Sequence, residues 1–427
     1  MNFYKTSLYS GIFSMINLIT GLVITKVTAQ LLGPEGTAYI GKFANISGMV
    51  LIFSTASISV GIIKYISENK NNPDALRKII NTAFSLILMG SAIGGLFILL
   101  LFPFIEQKVF NGLNVSVVFI LFGVFLILIS SQILVTGILN GLGEIKKLAL
   151  VNCLAALLNM IFTSYFVYKF QLTAALFSNS LYGIFVTFIG YICLKKSGYL
   201  NNSWLKLHVD REISFKLIRF GIFAALTSFT WMSSMFLIRE NVENELDTHS
   251  AGLWQAMFSL SDRYLTVITT MMSVYFIPQL SAITERSELV REMRKAFIRI
   301  AGIMLILCFG IWLSRNLIIS IFLADTFRPM ESLFAFQMIG DFFKTCAGLL
   351  ALLIASKAMF RTGLKADISF HFFLLCFSYF GIKELGLIGA SYAYALACFI
   401  YFAVYLYFFK DLMILIKKSI LPKPWIK

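Results

Sequence analysis

Apolar stretches long enough to cross a lipid bilayer recur along the whole chain, and they constrain its fold more than any other feature. A helix of about 20 apolar residues spans the hydrocarbon core of a bilayer. Charged residues make up only 13% of the chain, about half the share expected in a soluble protein. We therefore predict an all-α integral membrane protein with twelve transmembrane helices, at about residues 7–32, 37–64, 79–103, 115–139, 148–168, 172–194, 218–239, 251–277, 296–314, 331–355, 364–381 and 386–409.

The basic residues are distributed unequally between the two sides of the predicted membrane domain. If the loops alternate across the bilayer, one side holds 26 of the 36 lysines and arginines and the other holds 6, while 4 lie inside the apolar runs. Short cytoplasmic loops of membrane proteins carry the excess of basic residues. We therefore expect both termini to be cytoplasmic. The net charge of +15 then reflects topology, and we expect no nucleic-acid partner.

The longest predicted cytoplasmic connection, residues 195–217, has six apolar runs on each side. It predicts an amino-terminal six-helix lobe at 1–194 and a carboxy-terminal six-helix lobe at 218–410, followed by a basic cytoplasmic tail at 411–427. Six spans per lobe, an even number, give both lobes the same orientation. We therefore predict two parallel repeats related by an axis along the membrane normal.

Two short motifs recur about half a chain apart and support this repeat. Leu76-Arg77-Lys78, before the third run, is similar to Val290-Arg291-Glu292 before the ninth. The basic turn GLGEIKK at 141–147 is similar to KAMFRTGLK at 357–365. Either match alone is weak, but their shared offset is that of a duplicated half.

Catalytic and metal-binding chemistry find little support in the sequence. The six cysteines all lie within predicted spans without a CxxC spacing, and the three histidines are scattered, so we expect no metal site and no cofactor. The P-loop motif GxxxxGK[ST] is absent from the sequence, so direct use of ATP is not expected. The predicted extracytoplasmic loops are too short for an external catalytic domain. We therefore predict that the protein is not an enzyme.

Polar residues form helical stripes within four of the apolar runs. Residues spaced alternately four and three apart share one face of a helix. Small and polar residues also join helices inside membranes, so the uncharged positions have that second explanation. The stripes are Ser10, Ser14, Asn17, Gly21 and Lys26 in the first run, Lys42 and Asn45 in the second, Gln255, Ser259, Asp262, Thr266, Thr269 and Ser273 in the eighth, and Gln337, Asp341, Lys344 and Gly348 in the tenth.

The six charged residues of these runs need water or a partner. Facing lipid at about 3 kcal/mol each, they would together cost about 18 kcal/mol, more than the usual stability of a fold of about 5–15 kcal/mol. Lys26 and Lys42 lie near the ends of their spans, so snorkelling to the interface is an alternative for both. Asp341 and Lys344 are one helical turn apart and form an alternative, self-contained ion pair. Asp262 and Arg263 lie about 16 Å deep, beyond easy snorkelling, and are the strongest functional candidates.

The sign of the charges narrows the class of substrate. Four of the six intramembrane charges are basic, which favours an anionic group over a cation. A lipid head group as the substrate also accounts for a large polar path through the membrane domain. The head group must cross the membrane while the lipid tail stays in the bilayer.

Several segments resemble a known family. The run GLWQAMFSLSDRYLTVITTMMSVYFIPQLSAITE at 252–285 resembles the eighth span and following loop of Wzx-type flippases for undecaprenyl-pyrophosphate-linked glycans, which include O-antigen units and lipid III of enterobacterial common antigen. Residues 334–361 resemble the tenth span, and LLGPEGTAYIGKF at 31–43 resembles the first turn and second span. With LGLIGASYAYALA at 385–397, the resemblance covers essentially the whole chain. One departure is Gly-Lys-Phe-Ala at 41–44 in place of the family's Gly-Asn-Phe-Arg, which moves the positive charge by two positions.

The resemblance implies the fold of the multidrug/oligosaccharidyl-lipid/polysaccharide exporter superfamily, with two six-helix lobes around a central cavity and alternating access. It also implies an inner-membrane location, a membrane-lipid-linked glycan as substrate, and a glycan polymerase and chain-length regulator as further partners. We assign substrate binding to basic and amide side chains, and either ion coupling or charge balance to two acids. These residues are Arg263, Lys344, Lys26, Lys42, Gln255 and Asn17 for the substrate, and Asp262 and Asp341 for the acids.

Two other functions stay open from the sequence. A cation-coupled multidrug exporter of the same fold is the first, since it shares the architecture. An integral-membrane glycosyltransferase or polymerase is the second, and the missing large loop and missing catalytic cluster disfavour it.

Overall fold

The computed structural model describes residues 3–196, 207–283, 285–356 and 359–409, and these residues form helices and no strand. The prediction of an all-α fold is confirmed. In chain order the helices are α1 (Phe3–Thr55), α2 (Ser59–Glu68), α3 (Pro73–Lys108), α4 (Ser116–Gly141), α5 (Ile145–Lys196), α6 (Arg211–Glu245), α7 (Thr248–Ala282), α8 (Arg286–Leu313), α9 (Arg315–Phe322), a 3₁₀ helix (Asp325–Leu333), α10 (Phe334–Ser356), α11 (Phe360–Leu385) and α12 (Leu387–Phe408).

Helix α5 contains two of the predicted apolar runs, and α1 contains the first run and most of the second, which ends in α2. A straight helix of 53 residues, the length of α1, is about 80 Å long, more than twice the hydrocarbon thickness of about 30 Å. Both helices are broken between their two runs. The break in α1 is at Gly33, with φ 64° and ψ −168°, and the break in α5 is at Gln171, with φ 51° and ψ −127°.

The described part of the chain has nine helices long and apolar enough to cross a membrane, or ten if the bent helix α6 is included. A multi-pass membrane protein is thereby confirmed. The number of twelve spans stays a prediction, because it requires α1 and α5 to cross the bilayer twice each.

The chain divides into two compact units. The amino-terminal unit comprises residues 1–236 with 322–324, and the carboxy-terminal unit comprises residues 237–321 with 325–427. The predicted connection at 195–217 precedes this division, and its residues 197–206, like the predicted tail at 411–427, lie outside the described residues. The predicted lobe boundaries and the internal repeat stay predictions.

The connection ends at a fixed point on the amino-terminal unit. The amide of His208 donates to the hydroxyl of Ser85 over 3.0 Å, and the amide of Asp210 donates to the hydroxyl of Thr82 over 3.2 Å. Both hydroxyl residues are buried on α3. The Asp210 carboxylate then accepts hydrogen bonds from the first amides of α6, as a helix-capping residue does.

Helices α11 and α12 of the carboxy-terminal unit form a tight hairpin that turns at Gly386, where φ is +62°. Their backbones approach closely where Gly381 faces Gly389: a Cβ added at Gly389 would lie 1.9 Å from the Gly381 carbonyl oxygen. Small residues allow such close approach between membrane helices. This hairpin carries Tyr394 into the polar cluster described next.

Candidate functional site

A buried carboxyl group, that of Asp341 on α10, is the centre of a polar cluster in the carboxy-terminal unit. The side chain is 0% exposed. On α7 the Ser261 hydroxyl donates to Oδ2 over 2.5 Å, and the Tyr264 hydroxyl donates to the same oxygen. At Oδ1 the Tyr394 hydroxyl of α12 donates over 2.8 Å and the Gln337 amide over 3.5 Å. One carboxyl group therefore joins three helices that are distant in sequence.

The charged pair singled out in the sequence lies between the two α7 residues that hold Asp341. Successive residues of an α-helix are about 100° apart around its axis. Ser261 and Tyr264 therefore face α10, while Asp262 and Arg263 face the opposite way. Exposure agrees with this geometry: Ser261 is buried, Arg263 is half-buried and Asp262 is exposed. The cluster and the charged pair thus occupy opposite faces of one helical turn.

Lys344 lies one turn beyond Asp341 on α10 and is half-buried. Its Nζ is 6.0 Å from the ring centroid of Phe258 and 5.7 Å from that of Tyr394, within the range of cation–π attraction. Tyr394 therefore contacts the acid through its hydroxyl and the base through its ring. Asp341 and Lys344 are therefore not a self-contained ion pair, because donors from α7 and α12 also bind the carboxyl group.

Gln255, predicted to bind substrate, is the partner of a buried arginine. Arg239 of α6 is 2% exposed, donates through Nη2 to Gln255 Oε1, and lies with its guanidinium carbon 5.7 Å from the Trp254 ring centroid. The Gln255 amide donates onward to the Ser259 hydroxyl over 3.0 Å. Arg239 is the last residue of the predicted seventh run at 218–239, and the structure places it inside α6.

The two lysines of the amino-terminal unit bind carbonyl oxygens at helix ends. Lys42 is 1% exposed and donates over 2.7 Å to the carbonyl of Val109, which ends α3. Lys26 is half-buried and donates over 2.5 Å to the carbonyl of Leu323, just after α9. Cations are favourable at helix C-termini, where carbonyl groups lack partners. Asn17 of the first stripe is exposed on α1.

A further carboxylate inside a spanning helix, in addition to Asp262 and Asp341, was not singled out in the sequence. Asp367 lies within the candidate span Thr362–Leu385 and is half-buried. It accepts a hydrogen bond of 2.8 Å from the hydroxyl of Tyr401 on α12. The hydroxyl oxygen of Tyr401 lies 3.1 Å from that of Tyr405. Its position early in the eleventh apolar run was the available signal.

The charged groups of this region can bind charged groups of a substrate. Among the described residues, no group of three or more His, Cys, Asp or Glu side chains is placed to bind a metal ion. Arg263 and Lys344 offer cationic groups, and Asp262 offers an exposed carboxylate. Arginine suits phosphate groups because its planar fork donates two parallel hydrogen bonds.

Comparisons with known proteins give the family. Residues 3–284 match the family model described as polysaccharide biosynthesis protein. The lipid III flippases of Escherichia coli (strain K12) and Shigella flexneri are each 27% identical to this chain over 406 residues, which is 95% of this chain and 97% of theirs. A solved inward-facing structure of a multidrug resistance MATE family transporter of the MOP superfamily is similar to this chain, with a TM-score of 0.81 and 14% identity over 97% of this chain and 100% of that one. The chain has this transporter fold and belongs to the polysaccharide biosynthesis protein family.

Proposed function

We propose that the protein is a flippase that moves an undecaprenyl-pyrophosphate-linked oligosaccharide from the cytoplasmic to the periplasmic leaflet of the bacterial inner membrane by alternating access. The observation that carries the proposal is the similarity to lipid III flippases over 95% of this chain. The chain is a transporter and not an enzyme. Both termini are assigned to the cytoplasm, and a glycan polymerase and a chain-length regulator are further partners in the proposal.

The substrate's anionic group is assigned to Arg263, and Lys344 stays a second basic candidate because it lies on the Asp341 side of α7, opposite to Arg263. The two side chains lie on α7 and α10, whose relative position is held by the hydrogen bonds to Asp341. Arg263 suits a pyrophosphate through two parallel hydrogen bonds, whereas Lys344 acts as a point charge. Lys26, Lys42, Gln255 and Asn17 stay predictions as substrate contacts, because the first three already hold other groups of the protein.

Energy coupling is assigned to Asp262. Transport in one direction needs an input, and the chain has no P-loop for ATP. Asp262 is an exposed carboxylate on the face of α7 that also carries Arg263, so a change in the distance between these neighbours alters its affinity for a proton or sodium ion. Asp341 is assigned to charge balance.

A cation-coupled multidrug exporter is the second candidate, and the exposure of Asp262 is the observation that favours it. A cationic drug needs an accessible carboxylate, and Asp262 provides one. Arg263 beside it opposes this function, because a like charge repels the drug. The matching MATE structure, at 14% identity, supports the fold alone.

Complementation separates the two candidates. The chain is expressed in an Escherichia coli strain lacking lipid III flippase activity, and surface glycan and resistance to cationic dyes are measured together. Restored glycan without increased dye resistance supports the flippase. In the same strain Arg263→Ala should abolish glycan assembly at unchanged membrane abundance, while Ser273→Ala, on the stripe that contains Asp262, should not. Dye resistance without restored glycan contradicts the proposal.

A further inference from the structure

We infer that Asp341 is a positioning residue: its carboxylate fixes the rotation of α7 and so presents Asp262 and Arg263 on the opposite face. The inference rests on the proposed function only for what those two residues then bind. It concerns the geometry of the carboxy-terminal unit, so it can be tested without a transport substrate.

The carboxyl group of Asp341 is surrounded by polar partners. A carboxyl group has two oxygens with about four sites for hydrogen bonds. Four neighbours converge on Asp341, two at each oxygen: the hydroxyls of Ser261 and Tyr264 at Oδ2, and the Tyr394 hydroxyl and Gln337 amide at Oδ1. The observed partners fill these sites.

The two bonds from α7 to this carboxylate fix the rotation of the helix. Ser261 and Tyr264 are three residues apart on α7, so they lie about 60° apart around the helix axis and both point to α10. With two bonds at this spacing, α7 cannot rotate without breaking at least one. Asp262 and Arg263 lie about 100° and 200° from Ser261 in the same turn. The two bonds to Asp341 therefore contribute to setting the direction in which Asp262 and Arg263 point.

Helix α12 is held by the same carboxylate. Tyr394 is buried and completes the cluster from a third helix, while its ring contacts Lys344 at 5.7 Å. Losing the carboxylate thus removes the common acceptor for α7 and α12. A further intramembrane carboxylate, Asp367, has a single tyrosine donor, Tyr401, among the described residues. It is the natural matched control.

The test is the protection of a buried cysteine from a thiol reagent. Leu265→Cys reports on the α10-facing side of α7, where Leu265 is 5% exposed, and Leu374→Cys reports on the core of α11, where Leu374 is 1% exposed. Losing one charge-assisted hydrogen bond shifts an equilibrium by about ten- to a hundredfold. Asp341→Asn should therefore raise the labelling rate of the cysteine at position 265 at least about tenfold, while the cysteine at position 374 stays protected. Asp367→Asn should leave both cysteines protected.

Tyr264→Phe provides a second variant that keeps the ring and the buried volume. If Asp341→Asn exposes both cysteines by unfolding, a rise at position 265 alone in Tyr264→Phe still supports the inference. Unchanged protection at position 265 in Tyr264→Phe, or in a folded Asp341→Asn, overturns it. The labelling does not depend on transport, so the inference and the flippase function can fail separately. If only the flippase function is wrong, the predicted changes in protection still occur, but the wild type translocates no glycan.

Discussion

The close packing of α11 against α12 predicts how much a larger side chain in this hairpin would destabilise the protein. Replacing Gly389 by alanine places a Cβ 1.9 Å from the Gly381 carbonyl oxygen and 2.2 Å from its carbon. Ordinary contacts begin at 3.4 Å, so the two backbones must separate by about 1.5 Å. Overpacking of a core costs about 1–3 kcal/mol. We expect the upper end of that range, because backbone atoms, unlike side chains, cannot rotate away.

The measurement is the temperature of half-denaturation of the detergent-solubilised protein, followed by size-exclusion chromatography. Gly302→Ala is the matched control, because a Cβ at Gly302 meets nothing within 4 Å and alanine is favoured over glycine in a helix by about 1 kcal/mol. We expect Gly389→Ala to lower the temperature and Gly302→Ala to leave it unchanged or raise it. Equal shifts in the two variants would refute the close approach of the helices.

Three further predictions concern other parts of the chain. Lys42→Met should reduce the amount of the protein in the membrane, because the Val109 carbonyl loses a charged donor worth about 1.5–3 kcal/mol. The amount of glycan made per protein molecule should stay constant. Loss of transport at full protein abundance would instead make Lys42 a substrate contact. The hydrogen bond from the Ser250 amide in the first turn of α7 lowers the pKa of Asp247. The stability that this helix cap adds is therefore present at neutral pH and lost as the pH falls below about 4. Asp247→Ala should cost about 1 kcal/mol of unfolding free energy at pH 7, and a difference between variant and wild type that does not shrink in acid contradicts the assignment. A cysteine at Asn114 should react with an impermeant reagent added outside cells and one at Asn71 should not, and the reverse pattern excludes the predicted topology.

The spans were predictable because hydrophobic length is a local property of the sequence. The break at Gly33 was also predictable, since Gly33 is followed by Pro34 and both interrupt helices. For the break at Gln171, the sequence indicated only that it lies between two apolar runs. A positive φ at glutamine has no residue-type signal, and tertiary packing must stabilise it.

The candidate site was predictable in part, because helical spacing assigns residues to a face but does not identify what that face meets. Asp341 and Lys344 were placed on one stripe, and the structure keeps both near the same tyrosine. Tyr394 could not be chosen from the sequence, since it is 53 residues from Asp341 in an apolar run. Lys42 was expected to face substrate or snorkel, and its partner is a carbonyl 67 residues away. Long-range partners of this kind depend on the packing of whole helices.

Transport of lipid III in proteoliposomes is the most direct test of the proposed flippase activity. The purified chain is reconstituted with a lipid-linked glycan, and an impermeant glycan-modifying reagent measures how fast the glycan becomes accessible on the opposite leaflet. We expect faster transfer than in protein-free vesicles, loss of this transfer with Arg263→Ala, and no transport of a cationic dye. Dye transport without glycan transfer, or glycan transfer no faster than in protein-free vesicles, would contradict it.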